Sequence, residues 1–198
     1  FDVMDNHYVP NLTFGAGVCK ALKNYGITAP VDVHLMVSPV DRIIGDFLEA
    51  GADIVHFDVM DNHYVPNLTF GPVVCKALRE YGLTAPIDVH LMISPVDNII
   101  ANFAKAGADC ISFHPNASRD VLKTIKLIKK YNCKVGIAIN PNESIECLKN
   151  IIEIFSIVEG HLRIDSKHSR DNLCKPHLRK WNGTMLSVHL GSLQKFRY

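Results

Sequence analysis

Phe1-Asp-Val-Met-Asp-Asn-His-Tyr-Val-Pro-Asn-Leu-Thr-Phe-Gly15 returns without a change at Phe57–Gly71. The correspondence runs on from there. Val-Asp-Val-His34-Leu-Met answers to Ile-Asp-Val-His90-Leu-Met, and Ala50-Gly-Ala-Asp53 to Ala106-Gly-Ala-Asp109. Laying residues 1–58 on 57–114 gives about 42 identities. The offset of 56 is two units of about 28 residues, the length of one strand, one helix and two short loops. Identity this high points to a recent duplication or an assembly join. Phe1 falls inside the repeated motif, so the N-terminus reads as a truncation.

Local signals around the repeat agree with alternating strands and helices. Short apolar runs rich in β-formers stand at Val31–Met36, Ile54–Met60, Ile87–Met92, Cys110–His114 and Lys134–Asn140. Between them, Val96, Ile99, Ile100 and Phe103 share one helical face, as do Val121, Ile125 and Ile128 after a cap expected at Ser118. Ile145, Leu148, Ile151, Ile152 and Phe155 predict a further helix. Gly26, Gly51, Gly82 and Gly107 stand where helices end. Strands that alternate with helices imply parallel pairing through right-handed crossovers. Near-continuous apolar strands imply a sheet covered on both faces. The expected fold is therefore α/β, a βα barrel or part of one, incomplete or distorted. With six clear strands, an eightfold barrel must take two from residues 156–198 or stay open.

Composition narrows the function classes. The chain has 198 residues, 21 basic and 20 acidic, for a net charge of +1, and 47% are hydrophobic. That balance gives no reason to expect nucleic acid or an acidic membrane as partner. No apolar run approaches the roughly 20 residues of a membrane span. The charge is uneven, however. Residues 161–198 hold 8 Lys and Arg against 2 Asp and Glu, which marks a boundary near Gly160. The expected organisation is a βα-barrel region at 1–158, with the duplicated unit at 1–56, the core at 57–158 and a divergent, poorly ordered tail at 159–198. The six cysteines, at 19, 75, 110, 133, 147 and 174, form no C-x-x-C pair and read as buried, reduced thiols. A zinc knuckle from His168, Cys174 and His177 is disfavoured by its spacing.

Chemistry in such a barrel sits at the carboxyl ends of the strands. Residues two apart in a strand share a face. His56, Asp58 and Met60 therefore point one way, and His90 and Met92 do so in the next strand. Asp2 with Met4, and His34 with Met36, repeat the arrangement, while the counterpart of His56 falls before Phe1. His114 ends the following strand. Two imidazoles and a carboxylate converging from neighbouring strands suit a divalent metal with an open position. Asp58 both ligates and moves a proton in that reading, and the methionines form soft, non-titrating walls. Hydrogen-bonded core histidines are the alternative. The polar segment Asp61–Gly71 is a βα loop long enough to line the mouth, and Asn140-Pro141 ends a later strand similarly. A two-metal centre built from the doubled pairs would need His34 within about 4 Å of the second-copy site.

The run His56-Phe-Asp-Val-Met-Asp-Asn-His-Tyr-Val-Pro-Asn-Leu-Thr-Phe-Gly71, with Asp88-Val-His-Leu-Met-Ile-Ser-Pro-Val-Asp97, resembles the ribulose-phosphate 3-epimerase family. Phe113-His-Pro-Asn-Ala-Ser118 and Lys134-Val-Gly-Ile-Ala-Ile-Asn-Pro141 continue the resemblance in order. It covers residues 46 to about 155, and residues 1–45 resemble a second copy of the family's second and third βα units. The resemblance implies a TIM barrel and a cytosolic isomerase of the pentose phosphate pathway. Such an enzyme interconverts the pentulose 5-phosphates D-ribulose 5-phosphate and D-xylulose 5-phosphate. Two aspartates act on opposite faces of the sugar, with one divalent ion: zinc first, then iron, cobalt or manganese. His56, Asp58 and His90 then match metal ligands, Asp58 matches one acid/base, and Met60, Met92 and His114 match the substrate pocket. Asp2, Met4, His34 and Met36 are the duplicate-copy candidates. A homodimer is also implied.

The chain departs from the family pattern at definite places. The family's first strand is replaced by the duplicate. Asn116 stands where the family usually has Glu. The Asp-Gly-Gly run with the second catalytic aspartate and fourth ligand does not occur, nor does the Gly-Ser-Ala-Ile-Phe-type phosphate segment. Met185–Phe196 reads as a degraded remnant of the family's mobile loop. The alternative expectation is thus an impaired or inactive relative that binds metal or pairs with an intact subunit.

Overall fold

The computed structural model describes residues 1–140 together with the strands Gly160–Asp165 and Leu186–His189, the last two as backbone. The expected helix over 145–155 and the residues of the zinc knuckle lie outside the described residues, as do Cys147 and Cys174. In chain order the elements are β1 (Asp2–Met4), α1 (Ala16–Asn24), β2 (Asp32–Met36), α2 (Ile44–Glu49), β3 (Ile54–Met60), α3 (Pro72–Tyr81) and β4 (Ile87–Met92). Then come α4 (Ile100–Lys105), β5 (Cys110–Phe113), α5 (Val121–Lys130), β6 (Lys134–Ile139), β7 (Gly160–Asp165) and β8 (Leu186–His189).

The eight strands form one sheet in simple sequential order, every neighbouring pair parallel. Each crossover from β1 to β6 carries one α-helix, which is what right-handed βαβ steps require. The two strands missing from the clear sequence pattern are β7 and β8, and both fall in 156–198. Among the described residues no pairing joins β8 to β1, so the sheet has the order of a βα barrel without its closing seam.

Burial explains why the pattern holds. Val33, Ile87, Val89, Leu91, Ile111, Phe113, Val135 and Ile137 are fully buried along the strands. Phe47, Ile100, Phe103, Ile125 and Ile128 meet them from the helices. Each such side chain contributes about 1.5–3 kcal/mol on leaving water. The cap of helix α5 lies two residues later than expected: Asp120, not Ser118, caps it, its Oδ1 accepting from the Lys123 N–H at 3.1 Å. Ser118 instead places its hydroxyl 2.7 Å from that of Thr124. Both are good capping types with extended backbone, and the difference is in reach: the Asp120 carboxylate accepts from Lys123 N–H three residues on, while the Ser118 hydroxyl accepts from Asp120 N–H. At the end of α3, Gly82 takes φ +105°, a left-handed conformation that closes the helix without a Cβ penalty.

Candidate active site

Sheet register builds the site. Asp2, His34, His56 and Asp88 lie level across β1–β4, and Asp58 lies level with His90 one step toward the strand ends. Met60 and Met92 form the next level, as Met4 and Met36 do in the first copy. Strand alternation then turns His56 with Asp58, and Asp88 with His90, to one face.

Asp58 is the hub. Its Oδ1 lies 3.0 Å from His56 Nε2 and 3.0 Å from His90 Nδ1. Its Oδ2 lies 3.7 Å from His34 Nδ1, which is also 3.4 Å from Asp2 Oδ1. The His34 condition for a doubled centre is therefore met. Burial alone would raise the pKa of Asp58, but hydrogen bonds and charge from His56 and His90 outweigh it and hold the carboxyl well below the usual carboxylate range. His56 has no exposed side-chain surface, and His90 has 4%.

His56, Asp58 and His90 each present one donor atom within 4.8 Å of the others. Two nitrogens and one carboxylate oxygen, from adjacent strands, fit a divalent ion of the zinc, iron, cobalt or manganese type. The sequence-derived ligand set is thus brought together in space. His114 is buried, with Nε2 3.0 Å from His90 Nε2. Met92 is buried and Met60 half-buried above the ligands.

The loop after β3 is held from within. Asp61 Oδ1 accepts from the His63 and Tyr64 N–H groups at 2.8 and 2.7 Å, and its Oδ2 accepts from Ser94 N–H at 3.0 Å. Asn62 adopts φ 56°, which asparagine tolerates better than most residues. Thr69 Oγ1 accepts from Met60 N–H and donates to the Asp58 carbonyl, both at 3.0 Å. The Tyr64 hydroxyl donates to Asn116 Oδ1 at 2.7 Å and accepts from Asn140 Nδ2 at 2.9 Å. Its ring lies 5.2 Å from that of His114. The loop is therefore latched over the ends of β5 and β6. Gly136 on β6 lies level with Ser112 and His90, where a Cβ would come within 2.5 Å of Ser112 Cβ.

Asp32 and Asp88, which flank His56, were not singled out from sequence as site residues. The Asp61–Gly71 loop and Asn140 were read at the strand ends, but not the latch that joins them through Tyr64. For the aspartates a signal existed: each stands two residues before a candidate histidine and so shares its face. For the latch no local signal exists, because its partners are 76 residues apart.

The described cysteines, Cys19, Cys75, Cys110 and Cys133, are free thiols, as expected. No described helix is long and apolar enough to cross a membrane.

The family model described as "Ribulose-phosphate 3 epimerase family" matches the chain twice, at residues 1–55 and 44–159. Among curated relatives, a ribulose-phosphate 3-epimerase of Serratia marcescens is 60% identical over 111 residues, 56% of this chain and 53% of the relative. That of Escherichia coli K12 is 57% identical over 111 residues, 56% of this chain and 49% of the relative. Ribulose-phosphate 3-epimerase 1 of Cupriavidus necator is 56% identical over 108 residues, 54% of this chain and 44% of the relative. The chain spans about half the length of the curated relatives it matches.

Proposed function

Because the chain belongs to the ribulose-phosphate 3-epimerase family, we propose that it acts on pentulose 5-phosphates, moving the carbon-3 proton that separates D-ribulose 5-phosphate from D-xylulose 5-phosphate. The observation that carries this reading is the Asp58 carboxylate held between His56 and His90. A carbon acid beside a carbonyl needs a base within reach and a place for the charge that develops. Asp58 is kept ionised by its two histidines and so can take the proton, while the electron pair moves into the neighbouring carbonyl. His56, Asp58 and His90 would hold the divalent ion, zinc being the first choice. When bound, that ion supplies fixed positive charge for the developing oxyanion.

The other side chains have simpler parts. Met60 and Met92 wall the pocket without titrating. His114 supports His90 from behind and is itself covered by Tyr64. Of the duplicate-copy candidates, His34 lies beside Asp58, Asp2 lies beside His34, and Met4 pairs with Met36 one step further along their strands. A cytosolic location and a homodimer accompany this proposal through the family resemblance. So does the division into a barrel region at 1–158 and a tail at 159–198, with the boundary resting on the charge shift.

The test is carbon-3 proton exchange of ribulose 5-phosphate in heavy water, with the metal-loaded chain and Asp58→Asn beside it. Exchange that disappears in Asp58→Asn supports Asp58 as the base. No exchange from the folded, metal-loaded chain would sink the catalytic reading.

A further inference from the structure

We propose that Tyr64 is a positioning residue for the proton transfer assigned to Asp58, acting through the rings of His114 and His90. Four side chains form an unbroken line from the loop to the carboxylate. The Tyr64 ring centre lies 5.2 Å from that of His114, and the His114 ring centre lies 5.0 Å from that of His90, each pair tilted by 37°. His114 Nε2 and His90 Nε2 are 3.0 Å apart, and His90 Nδ1 is 3.0 Å from Asp58 Oδ1. Both histidines are buried, while Tyr64 is half-buried at the mouth. In a close-packed interior a ring shifts only when its neighbour gives way. The place of Tyr64 therefore sets the places of His114 and His90, and through them that of Asp58.

Tyr64 is itself held by its hydroxyl, which donates to Asn116 in the turn after β5 and accepts from Asn140 directly after β6. One side chain thus ties the ends of three strands together. The first copy of the repeat is a natural control. Tyr8 stands in the same fifteen-residue run, and its N–H donates to Asp5 as that of Tyr64 donates to Asp61. Thr13 makes the same two backbone bonds as Thr69. Yet Tyr8 is 58% exposed. The turn therefore forms without a tyrosine latch, so shaping the turn is not what the latch is for. It is made in the copy whose strand carries His56 and Asp58, with His90 beside them. Alignment matters there, since a misplacement of about 1 Å at a reacting group costs about a hundredfold in rate.

The role rests on the proton-transfer reading, and two measurements on the zinc-loaded full chain keep the two failures apart. The first is carbon-3 exchange of ribulose 5-phosphate. Tyr64→Phe keeps the ring and removes the latch, and is expected to lower kcat about five- to tenfold while KM moves less than about twofold. Tyr8→Phe is expected to change neither. A loss confined to KM, or an equal loss in Tyr8→Phe, overturns the proposal. The second is NMR of the chain with 13C-labelled histidine. Tyr64→Phe is expected to shift or broaden the ring signals of His114 and His90, and Tyr64→Leu to do so more strongly, with the His7 signal unmoved in both. A His90 signal unchanged in both variants overturns the proposal whatever the rates show. No exchange from the wild type sinks the catalytic reading by itself, and the His90 signal then decides whether Tyr64 positions that ring.

Discussion

The two copies of the repeat share fifteen consecutive residues and the same local fold, yet they meet different neighbours in the sheet. Asp5 organises its loop as Asp61 does, accepting from His7, Tyr8 and Ser38 N–H groups at 2.8–2.9 Å. Asn6 and Asn62 both take a left-handed backbone, at φ 57° and 56°. The environments differ. Tyr64 is bonded to Asn116 and Asn140, whereas the identical Tyr8 is 58% exposed. Val96 is fully buried, and its counterpart Val40 is 40% exposed. A sequence segment thus specifies its own turn and strand, but neighbouring strands specify whether it becomes a site. Strand β3 is flanked by β2 and β4, while the pairings described for β1 are to β2 alone.

The largest expected difference between the copies is catalytic. Asp58→Asn is expected to lower carbon-3 exchange by two to four orders of magnitude, the usual cost of removing a general base. Asp2→Asn, the same change in the first copy, is expected to stay within about threefold, since Asp2 reaches the hub only through His34. Single-turnover exchange rates on both variants measure it. Equal losses would show that the first copy is as much a part of the reaction as the second.

A structural comparison comes next. Val96→Ala removes two buried methyl groups and is expected to cost about 2 kcal/mol. Val40→Ala touches a side chain already open to water and is expected to cost under about 0.5 kcal/mol. Urea unfolding of each variant reads the difference directly. Similar costs would mean that a partner or another part of the chain covers Val40 in solution.

The latch should give a smaller effect. Tyr64→Phe loses one hydroxyl between Asn116 and Asn140, worth about 1 kcal/mol, while Tyr8→Phe loses none of this kind. Amide exchange in residues 61–71 is expected to quicken in the first variant, and that in 5–15 to stay unchanged in the second. Unaltered exchange in Tyr64→Phe would show that the Asp61 and Thr69 bonds fix the loop without the latch.

How much of this was legible follows from the range of each interaction. The five strands from β2 to β6 and the faces of α4 and α5 are carried by apolar period, a local property, and they stand where the pattern places them. His56, Asp58 and His90 were legible because two-residue spacing and parallel register bring them level. Strands β7 and β8 were not, since they are runs of only six and four residues that alternate polar and apolar side chains, unlike the near-continuous apolar runs by which the other strands were read. Asp32 and Asp88 were missed for another reason: an aspartate between apolar residues reads as strand punctuation until its neighbour's ring is placed beside it. Replacement of Arg79 by Lys23 in the first copy belongs to the same class. Arg79 donates to the carbonyls of Leu83, Ala85 and Gly107 and pairs with Asp109, whereas Lys23 reaches Ala29 and Asp53.

That last difference predicts the smallest effect and the finest test of how firmly the first copy is held. Cys19 and Cys75 are equivalent buried thiols, each donating to a helix-end carbonyl, of Ala50 and Ala106, at 3.6 Å. Burial raises both thiols above their ordinary range, Cys75 to about 11. At pH 8 each is therefore protonated in the folded chain and reacts only when its surroundings open. Arg79 ties the end of α3 to the turn after α4 through a planar set of donors, while Lys23 has one charged nitrogen for the same job. Thiol labelling in mild urea, located by mass spectrometry, is expected to modify Cys19 several-fold faster than Cys75. The pair should draw together in the chain carrying Lys23→Arg. If Cys75 reacts first, the guanidinium network does not govern local opening, and the order of stability between the copies is set by the sheet instead.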